Sequence, residues 1–278
     1  MRISARDKKK KSAVTAAIAL LVLLMCVLSA CGGMRDSAVI VAGSTSVQPY
    51  AELLVEEFAL RYPNSRIDVQ GGGSSAGITA AESGAAEIGM SSRALKESER
   101  DLWSAEIAKD GLAIIISPDN PLGNLTLEQI RNIYTGAVTN WNELGGRDAR
   151  IHIISREEGS GTRSAFEELV MDKSYITPKA IIQDSNGAVR QLVASDKNSI
   201  GFISLGLVDE TVKAVKLGGI EPTWETVSDG SYSLYRPFLF ISAGEPTGQA
   251  KQFIEFTLSQ EGQNILINEG LVPPDKEG

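Results

Sequence analysis

From Ser37 onward, short apolar runs rich in β-branched residues alternate with stretches in which apolar side chains recur every three or four positions. Ala38–Ala42 reads as a strand, and Val47, Tyr50, Leu54 and Phe58, at steps of three, four and four, mark one face of the helix that follows. Arg66–Gln70 is a second strand, with a short helix after it ending near Gly84, and Glu87–Met90 is a third. Leu112–Ser117 is an apolar strand bounded by Pro118 and Pro121. Thr126–Gln129 has the form of a capping box, which opens a helix carrying Ile130 and Ile133 and closed by Gly136. Further strands are predicted at Arg150–Ile154, Ser199–Ile203, Val212–Val215 and Tyr235–Ser242. A single final helix with Phe253, Phe256, Leu258, Ile265 and Leu266 stops at Gly270.

Strands alternating with helices in this way predict an α/β architecture of mostly parallel strands. The simplest organisation is two lobes, the first one interrupted: residues 38–117 with 238–278, and residues 118–237 between them. The two crossings between lobes, near Ser117 and Phe238, would form a hinge. A single continuous sheet is the alternative that composition leaves open.

The first 37 residues stand apart. Arg2, Arg6 and Lys8–Lys11 precede an apolar run from Ala16 to Leu28, the pattern of a secretory leader. Leu28–Gly32 resembles a lipobox, so residues 1–30 read as a lipoprotein signal, Cys31 as a lipid-modified (palmitate-bearing) first residue, and 31–37 as a linker. With Cys26 in the leader and Cys31 lipidated, the exported domain has no disulfide, and its stability must come from packing. Removing the leader's six basic residues and one acidic residue leaves 21 basic against 34 acidic, a net charge of −13. That argues against nucleic acid as a partner, and any bound anion must be held by groups acting at close range.

Four loops offer such groups: Gly43–Ser46, Gly73–Ser75, Ser91–Arg93 and Arg156–Thr162. Each follows a predicted strand, at the edge where open α/β sheets bind ligands. Three precede helices, whose free N–H groups and dipoles supply roughly +0.5 each, to which Arg156 adds a full charge and a fork for two oxygens. The sum suits a tetrahedral dianion. Gly73–Gly77 also fits a nucleophile elbow with Ser75 as the serine, but the only histidine, His152, lies in an apolar strand with no obvious acid partner. No phosphate-binding loop with the G-x-x-x-x-G-K-[ST] pattern occurs, and one histidine with no free cysteine makes no metal site or cofactor site.

The segments Gly43–Phe58 (GSTSVQPYAELLVEEF), Gly71–Ala80 (GGGSSAGITA), Ala86–Lys96 (AEIGMSSRALK), Asn132–Gly146 (NIYTGAVTNWNELGG), Ser155–Glu168 (SREEGSGTRSAFEE) and Phe256–Pro273 (FTLSQEGQNILINEGLVP) together resemble the phosphate-binding lipoproteins of bacterial phosphate ABC transporters. The resemblance implies a two-lobe, type II periplasmic-binding-protein-like fold with a two-strand hinge, which closes over one phosphate without catalysis. It implies a monomer that delivers phosphate to permease subunits, tethered at the extracytoplasmic face of the cell membrane through Cys31. By motif, the ligand residues it implies are Thr45, Ser46, Ser74, Ser92, Arg156, Ser160, Gly161 and Thr162, with Glu158 orienting the arginine. The chain departs from the family at Ser92, where many members have an aspartate that accepts the phosphate proton and repels sulfate. A hydroxyl can accept that proton but carries no charge, so sulfate or molybdate is the alternative ligand. Arg93 is a candidate second cation.

Overall fold

The computed structural model describes residues 38–275. The leader, and with it the lipid site expected at Cys31, lies outside the described residues. Strand β1 (Val39–Gly43) leads into helix α1 (Gln48–Arg61), which has Pro49 in its first turn, where no intrahelical N–H bond is lost, and buries Tyr50, Ala51, Leu54 and Phe58. Strand β2 (Ile67–Gly71), helix α2 (Ser74–Glu82) and strand β3 (Ile88–Ser91) follow as expected. Gly77 sets how closely α2 sits on the sheet. A Cβ there would lie 2.5 Å from the Ala42 carbonyl oxygen and 2.6 Å from Gly43 Cα.

Strand β4 (Trp103–Ile116) is much longer than the apolar run that predicts it. Its first eight residues include Glu106, Lys109 and Asp110, which break the apolar pattern although the backbone continues as strand. Strand β5 (Asn124–Leu125) precedes helix α3 (Leu127–Thr135), whose capping box forms as predicted: Gln129 N donates to Thr126 Oγ1 at 3.2 Å, and Thr126 N to Gln129 Oε1 at 2.8 Å. Strand β6 (His152–Arg156) feeds helix α4 (Gly161–Phe166), which widens into a π turn over Glu167–Met171. Strand β7 (Ile181–Gln183) and helix α5 (Asn186–Ser195) come next, then strand β8 (Ser199–Ser204).

The strand expected at Val212–Val215 is two short ones, β9 (Lys213–Ala214) and β10 (Lys216–Leu217), which pair with β4 and β5 respectively. Helix α6 (Trp224–Ser228) and strand β11 (Tyr235–Ser242) lead to the C-terminal helices α7 (Gly248–Leu258) and α8 (Gln260–Asn268). These replace the single final helix predicted. The break is at Ser259, which leaves helical geometry at ψ 164° and caps α8 by accepting from Gly262 N at 3.3 Å.

The main sheet runs β2-β1-β3-β11-β4-β8-β6-β7. It is mixed rather than mostly parallel: β1 pairs parallel with β2 and β3, and β6 with β7 and β8, whereas β11 and β4 run antiparallel to their neighbours. β4 changes partner along its length, pairing with β11 up to Gly111 and with β8 from Leu112. The buried apolar residues separate at the same place. One core joins Val41, Leu54, Phe58, Met90, Ala108, Phe238 and Phe253. The other joins Leu112, Ile133, Phe166, Phe202 and Leu234, with the Phe166 and Phe202 rings stacked 4.1 Å apart. Two smaller clusters go with these main cores, Ile78, Ala81, Leu239 and Ile241 beside the first and Ala113, Ile115, Ile154, Val189 and Ile203 beside the second, so the fold is α/β with two halves on one curled sheet, linked by β4 and β11.

Candidate functional site

The loops after β1, β3 and β6 and the start of α2 meet between the two cores. Their polar groups form two adjoining clusters. In the first, Ser44 Oγ accepts from Ser46 N at 3.2 Å and donates to Ser92 Oγ at 2.9 Å, and Ser92 Oγ lies 3.3 Å from Ser74 Oγ. Ser92 N also donates to Ser74 Oγ at 3.0 Å. All three hydroxyls are buried. Gly161, from the other core, packs against them so closely that a Cβ would lie 2.2 Å from Ser74 Oγ.

The second cluster centres on Arg156, the last residue of β6, which is 1% exposed. Its Nη2 donates to Thr45 Oγ1 at 3.2 Å and to the Asp184 carbonyl at 3.0 Å, and its Nη1 is 3.5 Å from Thr162 Oγ1. Ser46 Oγ is 2.9 Å from Thr162 Oγ1. These bonds join residues of opposite cores, so the conformation is closed.

Thr45, Ser46, Ser74, Ser92, Arg156, Gly161 and Thr162 are thus brought together as the sequence suggests. Ser160 is buried beside them, and its Oγ caps α4 by accepting from Arg163 N at 3.2 Å. The orienting carboxylate differs from expectation. Glu157, not Glu158, grips Arg156, with Oε2 2.9 Å from Nε and Oε1 3.0 Å from Nη2. Glu158 instead lines a surface groove with Arg163 and Lys173. Arg93 is taken up elsewhere, in a two-pronged pair with Glu99 at 2.7 and 2.8 Å whose hydrogen bonds hold the Glu99 carboxyl below its usual range.

Sequence reasoning missed three residues here. Asn186, the first residue of α5, donates from Nδ2 to Ser46 Oγ at 2.9 Å, and its Oδ1 accepts from Ser204 N at 3.2 Å. Arg236, on β11, sends Nη2 to the same Ser46 Oγ at 3.1 Å. Its Nε and Nη2 both reach Asp110 Oδ2 at 3.0 Å, the register partner across β4, while Ser204 Oγ donates to Asp110 Oδ1 at 2.7 Å. Burial pushes the Asp110 carboxyl up, and Arg236 and Ser204 act against that. The only available signal was the charge of Arg236 inside an apolar strand; Asp110 lies before the apolar run Leu112–Ser117 and is one of three charged residues in the first part of β4.

The nucleophile pattern at Ser75 finds no base here. Ser75 N donates to the Gly159 carbonyl, beyond the C-terminal end of β6, whereas His152 opens that strand about 13 Å away at ~3.3 Å per residue. His152 Nδ1 is paired with Asp196, which also accepts from Ser199 Oγ. Among the described residues no cluster could hold a metal ion, and no helix is long and apolar enough to cross a membrane.

The sequence model of a PBP superfamily domain matches residues 29–261. The phosphate-binding protein PstS of Bacillus subtilis is 29% identical over 276 residues, covering 91% of this chain and 92% of that one. PstS of Staphylococcus haemolyticus is 31% identical over 256 residues, covering 84% and 80%. Among solved structures, a substrate-binding protein assigned to a phosphate ABC transporter in Clostridium perfringens, with phosphate bound, is 45% identical with a TM-score of 0.83, covering 86% of this chain and 100% of that one. A phosphate transport receptor from Vibrio cholerae is 38% identical with a TM-score of 0.72, covering 85% and 100%.

Proposed function

The chain belongs to the PstS family of phosphate-binding proteins within the periplasmic-binding-protein superfamily, and from that premise we propose that it captures inorganic phosphate outside the cytoplasm and delivers it to an ABC-type importer. The observation that carries this reading is the convergence, from opposite cores, of Arg156, Thr45, Ser46 and Thr162 on one buried polar cluster. Its donors are hydroxyls and guanidinium N–H groups, which suit an oxyanion. The role is binding without catalysis, consistent with the relatives being binding proteins and with Ser75 and His152 lying at opposite ends of β6.

We assign contact with phosphate to Thr45, Ser46, Ser74, Ser92, Arg156, Ser160, Gly161 and Thr162, and orientation of Arg156 to Glu157. The lobes divide as residues 38–111 with 238–275 and residues 112–237, because Leu112, Ile114 and Ile116 pack in the second core and move the boundary expected at Ser117 back to Gly111, and the hinge is the pair β4 and β11. The change of partner at Gly111 and Leu112 supports a flexing point slightly before Ser117. Lipid attachment at Cys31 and a monomeric state complete the proposal. Cys31→Ser should move the protein from the membrane fraction to the soluble one, at the elution volume of a single chain, and retention in the membrane would remove the anchor.

Calorimetric titration of the purified protein tests the ligand: phosphate should bind tightly and sulfate compete poorly. A protein that binds sulfate and ignores phosphate would overturn the reading. Ser92 decides how sharp that selectivity is. Its Oγ already accepts from Ser44, which leaves one lone pair and no charge to meet a protonated ligand oxygen. Ser92→Asp would place a carboxylate between two hydroxyl donors, and it should raise the phosphate-to-sulfate preference by about tenfold, since one repelled charge is worth roughly 1–2 kcal/mol here. An unchanged ratio would show that position 92 does not face the ligand.

A further inference from the structure

Two buried guanidiniums near the site have incomplete hydrogen bonding: Arg93, whose Nε is unpartnered but whose Nη1 and Nη2 are turned to Glu99, and Arg236, whose free nitrogen belongs to a fork already bonded to Ser46. Arg236 is 2% exposed, stacked over Phe238 with its Cζ 5.5 Å from the ring centre, and its Nη1 has no partner among the described residues. A charged N–H left unpaired in the interior forfeits its full hydration, so such a group normally has an occupant in the functional state. The geometry shows which edge is free. The Nε–Nη2 edge is spent on Asp110 Oδ2, and the outer Nη1–Nη2 edge is half used, by Nη2 on Ser46 Oγ at 3.1 Å. Ser46 is itself the meeting point of Thr162 and Asn186. The unused donor therefore lies on the edge of Arg236 that faces the hydroxyl shared by both cores.

Two shared hydroxyls connect Arg236 to Arg156: Arg236 Nη2 donates to Ser46 Oγ at 3.1 Å, Ser46 Oγ is 2.9 Å from Thr162 Oγ1, and Thr162 Oγ1 is 3.5 Å from Arg156 Nη1. Burial disfavours the charge of Arg236 most, Asp110 favours it, and the like charge of Arg156 is close enough to disfavour it in turn. Two guanidiniums so near each other in a buried setting repel, and an anion between them relieves that repulsion while filling the empty donor. A guanidinium does not shed its proton to escape. Asp110 acts through Arg236. It holds one edge of the fork and so aims the other, and Ser204 holds Asp110.

We propose that Arg236 is a second guanidinium contact for the bound oxyanion, positioned by Asp110, and that this pair of arginines makes the site select the dianion of phosphate over the monoanion. The proposal rests on the phosphate reading above. It is separate from the role of Ser92: two cations favour a doubly charged ligand, phosphate or sulfate alike, whereas rejection of sulfate depends on a group that reads the ligand's proton.

The test is calorimetric titration with inorganic phosphate across the pH range of its second ionisation, on the parent, on Arg236→Lys and on the double variant Arg236→Gln/Asp110→Asn. The double variant removes both charges together and strands neither. Both variants should bind phosphate at least fivefold more weakly, and the parent's gain in affinity with rising pH should flatten in the double variant. A purely structural Arg236 would leave that pH profile unchanged. Folded variants that bind within twofold of the parent, with the parent's pH dependence, would overturn the proposal. Should the double variant fail to fold, Arg236→Lys decides alone, because it keeps the charge and loses the fork. A parent that takes up no phosphate would sink the phosphate reading instead, and the same comparison made with sulfate would still decide the role of Arg236.

Discussion

Arg156→Gln should weaken phosphate binding by roughly 30-fold or more, because truncating one partner of a buried, charge-assisted contact costs about 2–5 kcal/mol and each 1.4 kcal/mol is about tenfold. Arg156 cannot retreat to solvent: it is 1% exposed, and Glu157 and the carbonyls of Gln183 and Asp184 hold it in place. Its orientation is therefore set before the ligand arrives, and little ordering entropy is left to lose on binding. The fold should tolerate the change. Glu157 is partly exposed and can rehydrate, and neither apolar core is built on Arg156. Arg156→Lys keeps a charge but loses the fork, so its affinity should fall between parent and Gln. Titration of all three, with melting temperatures measured without phosphate, checks this. An Arg156→Gln protein within threefold of the parent would take the residue out of the site.

The contrast between Arg156 and Arg236 shows what was legible in the sequence. Arg156 ends an apolar strand and opens a run of Ser, Gly and Thr that leads into a helix, so its type, its neighbours and its place at a strand end all point one way. The same holds for Thr45, Ser46, Ser74 and Thr162. Arg236 lies within a strand, and what makes it part of the site is Asp110, opposite it across the β4–β11 pairing and distant in the chain. Local patterns carry no information on that register. Arg236 reads as an interruption in its own strand, and Asp110 falls outside the apolar run that predicts β4, so neither points to the other.

Similar reasons explain the smaller corrections. Glu157 and Glu158 are adjacent and chemically alike, and which one reaches Arg156 depends on how the chain leaves β6 before Gly159, at φ 88°. That is a backbone detail below the resolution of composition. Ser259 splits the last helix because a serine can serve as a cap as well as sit within a helix, and apolar spacing continues across it on both sides.

Gly161→Ala should lower phosphate affinity at least about as much as Arg156→Gln, by a different route. Gly161 starts α4 in the core that contains Phe166, while Ser74 and Ser92 belong to the opposite half of the molecule. A methyl group at position 161 would lie 2.2 Å from Ser74 Oγ, 2.5 Å from Ser92 Oγ and 3.0 Å from Ser74 Cβ. Turning the two hydroxyls away would break the chain from Ser44 through Ser92 to Ser74, and even then the Ser74 Cβ remains tight. The backbone at 161 is ordinary helical geometry, so alanine is unstrained there, and within its own half it should stabilise the helix slightly. The clash exists only when the halves meet. The variant should therefore fold and melt like the parent without ligand, and lose affinity because closure stops short of bringing Thr162 to Ser46 and Arg156 to Thr45. Small-angle scattering of the parent with phosphate should show a more compact particle than the alanine variant at the same phosphate concentration. Equal compaction with equal affinity would mean that the two halves do not close on Gly161, and the assignment of Ser74 and Ser92 to the ligand would fall with it.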